Sequence, residues 1–300
     1  GVDSHNRMMF ELRNTASDDV EIDQVSISGP KKERVYPINN SVPVSENGLA
    51  VLPDMADGSG SNTYEVEISY SIGGLTDLNA DGSVTTDHVM DDTWEGMVGY
   101  FPLDEANADL AYDYTGNVPY GDIDENVSMY QPGVVGESYY FNDTHVTIDD
   151  NELLDPKNSG FSVTSWVKYN GTYNWARIIS KARWGSLDDA NGWHIQKWRE
   201  NISFVVSNGS SHERVISNDI DDGEWHFVAG RWNSTHLKMD VDNQTFGPVK
   251  YSNSGPIEND YPLVFGASAA PYKQDYFHGN IDEVRIYNKS ITDENIQEIR

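Results

Sequence analysis

The chain has 300 residues, with 20 basic against 49 acidic side chains and a formal net charge of −29. A surface that acidic repels nucleic-acid phosphates and anionic lipid, which argues against both as partners. The absence of cysteine excludes disulfides and thiolate metal sites. Only 37 % of residues are hydrophobic, yet 8 Trp, 17 Tyr and 9 Phe call for packed cores rather than a disordered chain. The acidic residues are dispersed, not gathered in a tail. Such a surface suits concentrated salt, where the Debye length falls to about 3 Å near 1 M and self-repulsion costs little. A halophilic microbe is the expected source. No apolar run approaches the ~20 residues of a membrane helix, so no direct membrane contact is expected. No signal peptide is visible, and Gly1-Val2-Asp3-Ser4 reads as the start of a mature ectodomain. Asn-X-Ser/Thr sequons stand at Asn39, Asn126, Asn142, Asn170, Asn201, Asn208, Asn233, Asn243 and Asn288. They fit an extracellular, cell-surface glycoprotein.

The predicted elements are nearly all strands. Met8, Phe10 and Leu12 alternate with Met9, Glu11 and Arg13. In Val20–Ser28 the phase changes between Ile22 and Val25, which predicts a bulge near Asp23-Gln24. Over Thr63–Ile72, apolar Tyr64, Val66, Ile68, Tyr70 and Ile72 alternate with Glu65, Glu67, Ser69 and Ser71, a strand with one dry face. Residues 1–75 therefore read as a small β-sandwich, a stalk or spacer. Residues 76–95 are polar and acidic with a turn signal at Asp81-Gly82, and read as a linker. Further strands follow at Phe161–Tyr169, Leu237–Val241 and Ile281–Ile286. A short helix is predicted within Ser290–Arg300, capped by Thr292 with Asp293 and Glu294 in its first turn. Many strands with almost no helix imply an all-β sandwich or jelly roll.

Several segments carry a resemblance. Met97–Glu105 is similar to a first strand. Tyr112-Asp-Tyr-Thr-Gly-Asn117 matches a D-x-[ST]-G-N turn, and Pro132–Phe141 and Phe161–Val167 match the segments that follow. Gly223-Glu-Trp-His-Phe-Val-Ala-Gly230 matches a G-x-W-H-H-V-A strand with Phe227 in place of the second His. Phe277-His-Gly-Asn-Ile-Asp-Glu-Val-Arg-Ile-Tyr287 matches a closing strand. In this order, the segments make residues 96–300 resemble the laminin-G-like, concanavalin A-like jelly-roll family. That fold hosts lectins, adhesion modules and enzyme appendages, so it does not itself name a function. The stretch Phe10–Ser28 resembles the β-sandwich ectodomains of archaeal pilin-like surface proteins.

Three constellations could carry chemistry. Asp77-x-Asn79-x-Asp81-Gly82 places oxygen ligands at alternate positions, as a Ca²⁺ loop does, but loop position 12 is His88 where an acid is required. The family resemblance implies a second structural Ca²⁺ shared by Asp113, Asn117 and Asp282. The third constellation is aromatic. Trp184, in the loop-like Arg183-Trp184-Gly185-Ser186 stretch, is the leading candidate to stack on a sugar face, with Arg183, Trp175 and Trp198 beside it. Trp166, Trp193 and Trp225 sit inside strand patterns and are expected in the core. Catalysis finds no support. A compact Glu-x-Asp-x-Glu strand is lacking, Glu21-Ile22-Asp23 having no second Glu, and there is no His-Glu-x-x-His or Gly-x-Ser-x-Gly. The expected function is non-enzymatic recognition of a glycan or glycoprotein. Two alternatives stand beside it. One is a pilin-like or surface-layer subunit that self-assembles, the other a non-catalytic accessory region of a polysaccharide-degrading enzyme.

Overall fold

A computed structural model describes residues 8–13, 20–28, 33–42, 47–52, 60–73, 75–88, 95–105, 110–115, 117–156, 160–171, 174–182, 191–251, 258–269 and 274–300. The chain forms two compact units, the first built on residues 1–92 and the second on Thr93–Glu105 and Asp109–Arg300. Among the described residues, no helix is long and apolar enough to cross a membrane.

The first unit contains β1 (Met8–Arg13), β2 (Val20–Ser28), β3 (Glu33–Val42), β4 (Asn47–Leu52), β5 (Gly60–Ile72) and β6 (Leu75–His88). β1 pairs with β4, and the other four form an antiparallel sheet in the order β3-β2-β5-β6. The phase change in β2 is a bulge. Its register against both β3 and β5 shifts between Ile22 and Gln24, which lets Val25 and Ile27 turn inward and become buried.

Over residues 76–88 the expected linker is instead strand β6; residues 89–94 lie outside the described residues. β6 pairs with β5 from Gly60↔His88 to Ile72↔Leu75. The hairpin turns between Ile72 and Leu75, where Gly73 takes a left-handed φ of 54° that a side chain would resist. A long, regular partner strand thus overrides the local turn preference of Asp81-Gly82, and Gly82 sits opposite Val66 in the ladder.

The second unit contains β7 (Met97–Phe101), β8 (Leu110–Ala111), β9 (Gly121–Ile123), β10 (Ser128–Pro132), β11 (Glu137–Phe141), β12 (Val146–Ile148), β13 (Phe161–Tyr169) and β14 (Arg177–Ala182). It continues with β15 (Asn191–Trp198), β16 (Asn201–Asn208), β17 (His212–Asp219), β18 (Trp225–Trp232), β19 (His236–Val241), β20 (Gln244–Lys250), β21 (Leu263–Phe265) and β22 (Gly279–Tyr287). The single α-helix among the described residues, α1, is Asp293–Ile299. One sheet runs β10-β11-β22-β13-β18-β19-β20, with β7 also on β22. The other runs β17-β16-β15-β14-β21-β12-β9-β8. Their inner faces meet in one apolar core that includes Phe101, Phe161, Val163, Trp193, Ile195, Phe204, Phe265 and Ile281. Phe161 of the first sheet lies 4.5 Å from Trp193 of the second, centroid to centroid. This is the two-layer jelly roll expected from the sequence.

All nine residues of β22 are buried. Its apolar positions jump from Ile281 to Val284 because Glu283 takes a left-handed φ of 56° and the register to β13 shifts there. Thr292 caps α1 as predicted, its hydroxyl accepting from the Asn295 N–H at 3.1 Å.

Candidate functional site

Trp175 lies just before β14, and Trp198 ends β15. Backbone bonds from Lys197 N to Ala176 O and from Arg199 N to Asn174 O, both 2.7 Å, tie the two segments together. The indoles then meet edge to face, with centroids 4.2 Å apart and planes at 85°. Arg214 of β17 lies over Trp198, its guanidinium carbon 3.6 Å from the ring centre. Trp175 is 47 % exposed. A large indole left in water but held by a second indole, itself capped by a cation, is a rigid apolar platform with a polar margin. A sugar ring's C–H face fits such a platform, and Trp175 loses little side-chain freedom on binding because it is already packed.

The structure therefore brings together two of the four sequence candidates. Arg183 and Trp184 lie outside the described residues. Trp193 is fully buried and donates its indole N–H to Leu154 O at 3.1 Å. Trp166 is partly buried against Phe227, 5.5 Å between centroids, and Trp225 is partly buried at the start of β18. Arg214 was missed by the sequence reading. Its signal was the alternation His212, Arg214, Ile216 along β17, which puts it on the face opposite Val215.

The calcium ligands are not assembled as expected. Residues 77–88 form part of a continuous strand rather than a loop. Asn79 is exposed and accepts from Ser69 Oγ at 2.7 Å, and Asp81 is exposed. The side chain of Asp77 lies outside the described residues. Asp113 is used up locally. Its oxygens accept from the N–H groups of Tyr100, Thr115, Asn117 and Val118 and from the Thr115 hydroxyl, all at 2.7–3.0 Å. A carboxylate has about four lone-pair sites, so little remains for an ion. Asp282 belongs to a different network, with Oδ2 accepting from Val134 N at 2.7 Å and Val135 N at 3.2 Å. Burial, then the charges of Glu283 and Asp104, push its pKa up to about 9. Among the described residues, no group of three or more acidic or histidine side chains is arranged to hold a metal ion. As a set, Asp113, Asn117 and Asp282 do not fit Ca²⁺. The sequons at Asn126, Asn142, Asn170, Asn233, Asn243 and Asn288 are exposed.

A second concavity, a cleft of about 580 Å³, is lined by Asp150, Glu152, Asp155, Asn191, Asn259, Asp260 and Tyr261 among others. Beneath it the buried Lys181 Nζ meets Asp150 Oδ1 at 2.7 Å, Asp155 Oδ1 at 2.8 Å and Asn259 O at 2.9 Å. This cation clasps the β12–β13 connection to the β20–β21 connection, and its positive charge is spent on that task.

A laminin G profile of the concanavalin A-like lectin/glucanases superfamily matches residues 141–297, more than half of the chain. The chain belongs to this superfamily. Three solved structures share the fold of this concanavalin A-like unit. One is the binding domain of Paraclostridial mosquitocidal protein 1, with a TM-score of 0.55, 12 % identity, and coverage of 69 % of this chain and 52 % of that one. Another is the botulinum neurotoxin serotype D binding domain, at 0.52, 16 %, 67 % and 50 %. The third is domain 4 of AbnA, a GH43 extracellular arabinanase from Geobacillus stearothermophilus, in complex with arabinotriose, at 0.51, 18 %, 68 % and 97 %. The chain thus spans about half the length of the toxin binding domains it matches. No curated protein matches it.

One buried acid of the concanavalin A-like unit yields a pH prediction. Glu105 accepts from Tyr112 N at 3.0 Å and from the Tyr139 hydroxyl at 2.9 Å. Burial outweighs these bonds and lifts its pKa from 4.5 to about 7. Below the unfolded value both states hold the proton. As pH rises toward 7 the unfolded chain releases it first, so the stabilisation is lost across that window and stays lost above it. Melting of the wild type against Glu105→Gln from about pH 4.5 to 8 should show the variant with the flatter profile. Parallel profiles would contradict the assignment.

Proposed function

We propose that the second unit is a glycan-recognition module of an extracellular surface protein and that the first unit serves as its spacer. The observation that carries this reading is Trp175, exposed yet fixed edge to face on Trp198. The superfamily includes lectins by description. The relatives of similar fold include binding domains solved with N-acetylneuraminic acid and with arabinotriose. No catalytic pair enters the reading. A second reading, an accessory domain of a polysaccharide-degrading enzyme, is favoured by the 97 % coverage of the arabinanase domain. Both readings assign the same binding chemistry.

A glycan array probed with the full chain and with Trp175→Ala tests the reading. The expected loss on truncating the exposed indole is about 1–3 kcal/mol of affinity, with the melting temperature little changed. Absence of binding by the wild type to every glycan would move the function to another partner class.

Salt enters the proposal through stability. The acidic surface predicts a fold that tightens as salt screens it. Melting is therefore measured from low to molar NaCl, and the melting temperature should rise with NaCl. A flat salt response contradicts the halophilic reading.

A further inference from the structure

The outer face of the second sheet gathers cations that the molecule itself leaves without full counter-charge. Along β15, Trp193 and Ile195 face the core, so His194, Gln196 and Trp198 face outward. The ladder places Arg177 opposite Gln196 and Ser180 opposite His194. His194 in turn is opposite Val205, and Val205 is opposite Arg214. Neighbouring strands lie about 4.8 Å apart, so Ser180 to Arg214 spans roughly 14 Å.

Arg177, Ser180 and His194 are buried, at 5 %, 0 % and 1 % exposure. Among the described residues, Arg177 Nη1, Ser180 Oγ and Arg214 Nη1 find no hydrogen-bond partner. Arg177 Nε reaches Asp275 at only 3.8 Å, and among the described residues Arg214 has its guanidinium over Trp198 rather than on a carboxylate. Other buried cations are treated differently. Lys181, Lys197 and Arg231 each meet a carboxylate oxygen within 3.0 Å. With 49 carboxylates in the chain, leaving two guanidinium groups so poorly matched is costly, and an external anion would relieve that cost. Burial, then the charges of Arg177 and Arg214, hold His194 well below its ordinary pKa. It is therefore neutral, a donor at one ring nitrogen and an acceptor at the other. The patch reaches solvent at Trp175, Trp198, Arg214 and the exposed Ile216.

We propose that this patch selects sugars that carry a carboxylate. The ring stacks on Trp175 and the carboxylate pairs with Arg214, while the buried Arg177 reinforces the field from beneath. This rests on the glycan reading above and names its ligand class. The net charge of −29 opposes an anion only at distances that salt screens, whereas a half-buried contact pair is screened far less. An Arg–carboxylate pair adds directional hydrogen bonding that a neutral sugar cannot offer.

The test is calorimetry of the full chain with trigalacturonic acid and with its carboxyl-reduced trisaccharide, at low and at molar NaCl, beside an array holding other acidic glycans and their carboxyl-reduced counterparts. The acidic member should bind about tenfold more tightly. Arg214→Gln should bring that ratio close to one and Arg214→Lys should leave it intermediate, both melting as the wild type does. Lys250→Gln, a lost charge on the exposed face of β20, should leave the ratio unchanged. Equal binding of acidic and neutral members by the wild type overturns the acidic-sugar inference and leaves the glycan reading standing. A preference that survives Arg214→Gln, or falls equally in Lys250→Gln, overturns the placement. No binding to any array member overturns both the inference and the reading beneath it.

Discussion

The register of β15 in the second sheet decides what the concanavalin A-like unit can do. Trp193 and Ile195 are locked into the core, Trp193 by Phe161 across the sandwich and by its bond to Leu154 O. In a strand, a slip of one residue would send every side chain to the other face. That slip would bury Trp198 and strip the core of the Trp193 indole. The inward set therefore fixes the outward one. His194, Gln196 and Trp198 are presented on the outer face because their neighbours are required inside.

The same two-sided logic extends sideways. β16 keeps Ile202, Phe204 and Val206 inside, and β17 keeps Val215 inside, so Arg214 is presented outward two strands from His194. Trp175 is added by the backbone bonds that close the segment before β14 onto the end of β15. Apolar packing, worth about 25 cal/mol per Å² buried, thus supplies the rigidity, and the outer face inherits a fixed arrangement of indoles and guanidinium groups. At the other end of these strands, Lys181 shows the contrasting use of a buried cation, saturated with oxygens and given over to holding loops.

Much of the fold was legible in the sequence because period-two alternation and ordered turn motifs are local signals. The bulge in β2 followed from the phase of Val20, Ile22, Val25 and Ile27, and the helix cap from Thr292. β6 departs from the linker expectation because Asp81-Gly82 is a strong turn signal on its own, while the determinant is the turn at Gly73 and the long strand before it. The site was legible only in part. Trp175 and Trp198 stood out as aromatics between strands, but their contact depends on a non-local closure. Arg214 became visible only once three strand registers were known. The proposed ion set failed for a related reason. Sequence names carboxylates, whereas only the fold shows that Asp113 spends its lone pairs on its own turn.

The most direct test of the account is an experimental structure of the full chain bound to an acidic oligosaccharide. The account predicts a sugar ring on Trp175 with its carboxylate at the Arg214 guanidinium. A ligand seated instead in the cleft above Lys181, with Trp175 and Arg214 uncontacted, would contradict it.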